Sequence, residues 1–201
     1  METFVNKLAS IITSPLQYDE EKRAVVQYGL FAIIQIVIVA IIISSFGALT
    51  GCFLECWIVY LTVAILRKST GGAHARTSNG CLLVSVIVIA ILGLLSRYLY
   101  LMPYGFEICL FLCPFTFFTG CLIIYKFAPV DSKNKPLKSE KKIKNLRKQS
   151  FITLLFYAII TCLIVLYSLH NRHYIGFAVG ITLSVLWQSI TLLIAVANKN
   201  W

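Results

Sequence analysis

Charge is scarce in this chain. Asp, Glu, Lys and Arg make up 13% of its 201 residues, about half the share of a soluble domain. Acid is scarcer still, with eight Asp and Glu against eighteen Lys and Arg, a net charge of +10. No Walker-type glycine-lysine pattern occurs, which excludes nucleotide-driven transport. No HExxH motif occurs either, and the three histidines, His74, His170 and His173, are poorly placed for zinc. Neither a metal nor a cofactor is expected. The opening METFVNKLASIITSPL lacks a long apolar run followed by small residues, so no cleaved leader is expected. No internal repeat is visible.

What the chain has is apolar surface. It is 59% hydrophobic, with a mean hydropathy of +0.84. Lipid, not a water-excluding core, is the natural cover for that much apolar area. The positive charge clusters between apolar runs. It therefore reads as membrane topology and not as a nucleic-acid surface.

A spanning helix needs roughly 20 mostly apolar residues. Six runs qualify, at about 24–46, 48–66, 81–101, 103–125, 151–169 and 174–197. The breaks fall at Ser44-Ser45-Phe46-Gly47, at residues 67–80, at Met102-Pro103, at 126–150 and at His170-Asn171-Arg172-His173. The fold class is all-α, a polytopic membrane protein with six transmembrane helices. Phe4, Val5, Leu8, Ile11, Ile12 and Leu16 recur at helical spacing, which predicts an amphipathic helix lying in the interface. A frayed tail is the alternative. The whole chain, 1–201, reads as one membrane domain. Residues 1–22 form the interfacial helix, 24–125 the first four spans with a loop at 67–81, 126–150 a basic loop, and 151–197 the last two spans.

Placing the N-terminus inside puts sixteen of the eighteen basic residues on the inner side, and only Arg97 and Arg172 outside. Both termini are then cytoplasmic. Tyr98, Tyr100 and Tyr104 join an outer aromatic belt. Six of the seven cysteines, at 52, 56, 109, 113, 121 and 162, lie inside apolar runs and read as packing residues. Only Cys81 stands at a polar boundary, and it faces the cytosol, where thiols stay reduced.

Cys81 ends the stretch GGAHARTSNGC, residues 71–81, which also holds His74, the only histidine before position 170. A thiol near pKa 8.5 needs help to ionise at neutral pH. Ser78 or Asn79 can cap a helix beginning near Gly80, which puts Cys81 in its first turn at the positive end of the dipole. Arg76 adds positive field. An imidazole nearby can take the thiol proton. Seven residues along one helix is about 10.5 Å, too far for contact. Gly71-Gly72 and Asn79-Gly80 supply turns that bring His74 back over the start of the third span. Read singly, an interfacial His and a Cys used as filler are the plainer accounts. An oxyanion donor is also needed, and the backbone N–H of Cys81 or a neighbour is a candidate.

Arg67-Lys68-Ser69-Thr70-Gly71-Gly72-Ala73-His74 followed by Cys81, together with Ala128-Pro129-Val130-Asp131-Ser132-Lys133-Asn134-Lys135-Pro136-Leu137, resembles the signature of the accessory gene regulator B family. The order of spans and the length also fit. The resemblance implies a bacterial cell-membrane cysteine endopeptidase that processes a small amphipathic precursor peptide into a cyclic quorum-sensing signal. It implies Cys81 as nucleophile and His74 as general base. Arg67 and Gly72 match further positions of the motif, and Asp131 lies in the second one. Many members carry an acid after a Tyr-Gly-Leu in the first span, whereas here Phe31 follows Tyr28-Gly29-Leu30. The family also suggests a homodimer.

The basic stretch 126–148 fits attraction to anionic lipid. A sharper reading has Lys141 and Lys142 hold an acidic tail of the precursor. Ser139 is placed to cap a helical lead into the fifth span. Glu55, inside the second span, asks for a partner, with Gln35 and Gln188 as candidates. His170 and His173 read as exposed. Rival functions are a peptide exporter or channel, which would tolerate Cys81→Ala, and a membrane scaffold or sensor, which would depend on the charges of 126–148.

Overall fold

The computed structural model describes residues 2–13, 19–73, 77–130 and 139–197. These residues form seven α-helices and one short 3₁₀ turn, Arg172–Tyr174. The helices are α1 (Glu2–Thr13), α2 (Glu20–Thr50), α3 (Phe53–Thr70), α4 (Ser78–Leu101), α5 (Gly105–Phe127), α6 (Glu140–Ser168) and α7 (Ile175–Ala197).

Local chemistry sets the ends. Asp19 caps α2 by accepting from the Lys22 N–H at 2.9 Å, satisfying a donor that the helix start leaves open. Gly51, at φ 73°, closes α2 in the left-handed conformation that glycine adopts without steric cost. The expected break at Ser44–Gly47 does not occur. Ser45 donates back to the Ile41 carbonyl at 2.9 Å, which lets a serine stay in a helix. Ser44 accepts from the Trp57 indole at 3.2 Å. A Cβ on Gly47 would meet the Phe53 Cα at 2.7 Å. These small residues bring α2 and α3 together; they do not end α2. Likewise α6 is continuous from Glu140 to Ser168, so the basic lead and the fifth span are one helix. Ser139 stands at its N-cap position but makes no side-chain capping bond.

Among the described residues, five helices are long and apolar enough to cross a membrane: Val25–Thr50 in α2, Asn79–Leu101 in α4, Gly105–Phe127 in α5, α6, and Arg172–Ala197 including α7. The expected second span, α3, is not among them. Its 18 residues include Glu55, Arg67 and Lys68. Large apolar side chains such as Leu49, Phe111 and Phe118 point outward. Lipid covers them without the cost that water would exact. The chain is a membrane protein.

α7 is the axle of the bundle. Its apolar window is 67% buried, against 11–22% for the other four. Small residues let neighbours approach it, as is common between membrane helices. A Cβ on Gly180 would lie 3.4 Å from the Ser96 Oγ, and one on Gly176 would lie 3.3 Å from the Tyr100 Cβ. Two apolar clusters line this axis, one of them joining Leu66, Ile124, Leu154, Tyr157, Val185 and Leu192, and a third packs α2, α3 and α4 together.

Glu55 finds neither Gln35 nor Gln188. It pairs with Arg97 at 3.4 Å. The first turn of α3 thus meets the last turns of α4, which is how two antiparallel helices bring residues 42 positions apart together. His170 and His173 are exposed, as expected. His173 also lies 3.1 Å from the Tyr100 hydroxyl and packs edge-on against that ring. At the opposite end of the bundle the C-termini of α3, α5 and α7 gather.

Candidate active site

At that end α3 runs out at Thr70, and Gly71 turns the chain. Gly71 has φ 74°, and its N–H donates to the Arg67 carbonyl at 3.0 Å. A Cβ here would sit 2.5 Å from the Val130 carbonyl oxygen, so glycine is required for both conformation and space. Gly72, at φ 152° and buried, lies against α7, where an added Cβ would face the Thr191 Oγ1 at 3.3 Å.

The segment 71–73 is tied on several sides. The buried Gln188 donates through Nε2 to the Gly71 carbonyl at 2.6 Å and to the Thr70 hydroxyl at 2.8 Å. The Ala73 N–H donates to the Thr191 carbonyl at 3.1 Å. The Val130 N–H donates to the Thr70 carbonyl at 3.0 Å. Arg147, on α6, donates through Nε to the Ala128 carbonyl at 2.8 Å. Helices α3, α5, α6 and α7 therefore meet at one short loop.

Arg67 closes the arrangement. Its Nη2 donates to the Ala73 carbonyl, the last backbone group before His74. Arg67 lies within electrostatic reach of the Cys81 thiol and holds the loop at the same time. A guanidinium suits both tasks, since its fork of donors stays charged when partly buried.

Cys81 lies in the first turn of α4 and is half-buried. The cap is neither Ser78 nor Asn79. It is Thr77, whose hydroxyl accepts from the Gly80 N–H at 3.1 Å. The helix begins at Ser78, two residues earlier than expected, which turns Ser78 and Asn79 into first-turn residues. The Cys81 N–H is engaged with the Thr77 carbonyl at 3.0 Å. Of the candidate oxyanion donors, Cys81 or a neighbour, the Cys81 N–H thus already has a partner within its helix.

Among the expected site residues, Arg67, Gly71, Gly72 and Cys81 share this end of the bundle. Asn79 is exposed in the first turn of α4. Lys141 and Lys142 are exposed on the first turn of α6, where they line a shallow concavity with Ser139, Lys144 and Lys148. His74, Arg76 and Asp131 lie outside the described residues, as does the side chain of Ser78. Sequence reasoning missed Thr70, Thr77, Val130, Arg147 and Thr191. Gln188 carried a signal, an amide inside an apolar run, but its partner was misassigned.

The chain matches the accessory gene regulator B family over residues 5–192. A "Putative AgrB-like protein" of Clostridium perfringens (strain SM101 / Type A) is 38% identical over 194 residues, covering 96% of this chain and 91% of that protein. The "Accessory gene regulator protein B" of Staphylococcus intermedius is 31% identical over 155 residues, covering 77% and 73%. A "Putative AgrB-like protein" of Listeria monocytogenes serovar 1/2a is 25% identical over 154 residues, covering 73% and 69%. No solved structure matches.

Proposed function

This chain belongs to the accessory gene regulator B family, and from that premise we propose that it is a membrane cysteine endopeptidase making a cyclic signalling peptide. The observation that carries the reading is the double role of Arg67. One guanidinium holds the residue before His74 and lies within electrostatic reach of the Cys81 thiol. A cation beside a thiol, with a histidine next in the chain to the residue that cation holds, supplies the groups a thiolate nucleophile needs.

The chemistry runs in two steps. His74 takes the Cys81 proton, and the thiolate attacks a peptide carbonyl of the precursor. A C–S bond forms, the C–N bond breaks, and the proton passes from His74 to the departing amine of the C-terminal tail. The remaining peptide is held as a thioester. His74, neutral again, takes the proton of a Cys or Ser within that peptide, whose sulfur or oxygen attacks the thioester carbonyl, closing a thiolactone or lactone ring and releasing the Cys81 thiolate beside the imidazolium. Thioester exchange is nearly isoenergetic, so the ring forms only if water is kept away. A site at the membrane edge favours that. The oxyanion donors are assigned to the amides of Ser78 and Asn79, ahead of the capped Gly80, because N–H groups at a helix start have no partner within the helix.

We read α3 as the sixth crossing. At 18 residues it is about 27 Å long, and its two ends are tied to opposite ends of the bundle through Glu55 and Thr70. With α1 in the interface, both termini and the loop face the cytoplasm, and the amphipathic precursor arrives from the inner leaflet.

The test is co-expression with the peptide encoded beside this gene, followed by mass. Cys81→Ser and His74→Ala are expected to abolish cleavage. Full turnover by a protein lacking the sulfur would instead favour an exporter.

A further inference from the structure

We infer that Gln188, on α7, is a positioning residue for the acyl-transfer site, fixing residues 70–73 at the end of α3, the segment that Arg67 also holds. The inference rests on the peptidase reading and adds to it a residue more than a hundred positions away in sequence.

The geometry is specific. Gln188 is 1% exposed, and its amide is oriented at both ends. The Thr191 hydroxyl lies 3.2 Å from Oε1 and 2.9 Å from the Gln188 carbonyl, so it donates to that edge. Nε2 is thereby turned to the loop, where it reaches the Gly71 carbonyl and the Thr70 hydroxyl. The Thr70 hydroxyl lies 3.1 Å from the Gly71 carbonyl and 2.9 Å from the Leu66 carbonyl. This is a closed network of polar groups, each with a partner, in a place where an unpaired group is costly. The network fixes Gly71, and the Ala73 N–H bond to Thr191 fixes the other end of the same three residues. Arg67 approaches that segment through the Ala73 carbonyl.

A buried amide suits this task. It supplies a donor and an acceptor without the desolvation cost of a charge. Glu at 188 would set a carboxylate against the Gly71 carbonyl. Leu would keep the volume and leave that carbonyl without its side-chain amide. In either case the loop loses the side-chain one of its two anchors on α7 and is held there by the Ala73–Thr191 backbone bond alone. A misplacement of about 1 Å costs on the order of a hundredfold in rate.

The test reads the thiol directly. Full-length protein in lipid nanodiscs is treated with iodoacetamide from about pH 5 to pH 9, and labelling of the Cys81 peptide is followed by mass. His74→Ala is expected to move the labelling midpoint up by about one pH unit. Gln188→Leu and the near-isosteric Thr191→Val should move it the same way, the second less. With the precursor peptide, Gln188→Leu should lower kcat about tenfold and leave KM within about twofold. Val179→Ala, deep in the same helix, should lower thermal stability and leave the midpoint in place.

Folded Gln188→Leu and Thr191→Val proteins with a wild-type midpoint and kcat would overturn the inference while leaving the peptidase reading intact. If His74→Ala also kept the wild-type midpoint, or Cys81→Ser kept cleavage, the peptidase reading itself would fall. Should Gln188→Leu not fold, Thr191→Val decides alone.

Discussion

Arg67 donates to the carbonyl of Ala73 across six positions of sequence, and that bond spans the end of α3, both glycines of the turn and the approach to His74. The same guanidinium carries the electrostatic contact with Cys81.

Arg67→Lys keeps a positive charge and loses the planar fork. Precursor cleavage is expected to fall by about tenfold to a hundredfold, with Arg67→Gln at the lower end of activity. Single-turnover kinetics followed by mass would show this. A wild-type rate in Arg67→Gln would remove Arg67 from the site.

The glycines should separate by position. Gly71→Ala meets the Val130 carbonyl at 2.5 Å and occupies a strained φ. Its cost is about 1–3 kcal/mol or more, from strain alone. Gly29→Ala has nothing within 4 Å of the new methyl in mid-helix α2. It should be neutral, or stabilising by up to about 1 kcal/mol. Thermal unfolding in one detergent orders the two, and equal midpoints would contradict the packing at Val130.

Glu55 and Arg97 form a pair with one buried and one partly open member. Glu55→Gln should destabilise by about 1–3 kcal/mol, because it leaves a cation without its counter-charge. Cleavage should keep its rate per folded molecule, since the pair lies at the other end of α3 from Arg67. A double-mutant cycle with Arg97→Met measures the coupling. A coupling near zero would show the contact to be incidental.

Lys141 and Lys142 offer exposed positive charge on the first turn of α6. Lys141→Glu with Lys142→Glu is expected to slow processing of a precursor with an acidic tail about tenfold at low salt, and less as salt screens the contact. Thermal stability should hold. Unchanged processing at physiological salt assigns these residues to lipid.

Much of the fold was legible. Apolar runs of membrane length gave α4, α5 and α7 to within three residues at each end, because lipid selects length and composition directly. The stretch Ser44–Gly47 misled because small polar residues mark turns in water but helix contacts in a membrane. There a serine can bond within its own helix and a glycine admits a neighbour. The cap of α4 was misplaced by one residue for a local reason: Thr77, Ser78 and Asn79 are all competent caps, and the sequence does not rank them. Gln188 was visible as an anomaly, yet its partner depended on which end of α7 meets which end of α3.

By itself, the sequence determined that this chain is helical, that it belongs in a membrane, and which stretch joins a histidine to a cysteine. Those follow from composition and short-range spacing, which act on each segment separately. Only the tertiary structure decided that α7 is the axle, that Glu55 meets Arg97, and that Gln188, Val130 and Arg67 converge on residues 70–73. These are pairings between groups 42 to 118 positions apart or across a turn. They are fixed by the directions in which helices pack, and a directional hydrogen bond between distant segments leaves no periodic trace in the chain.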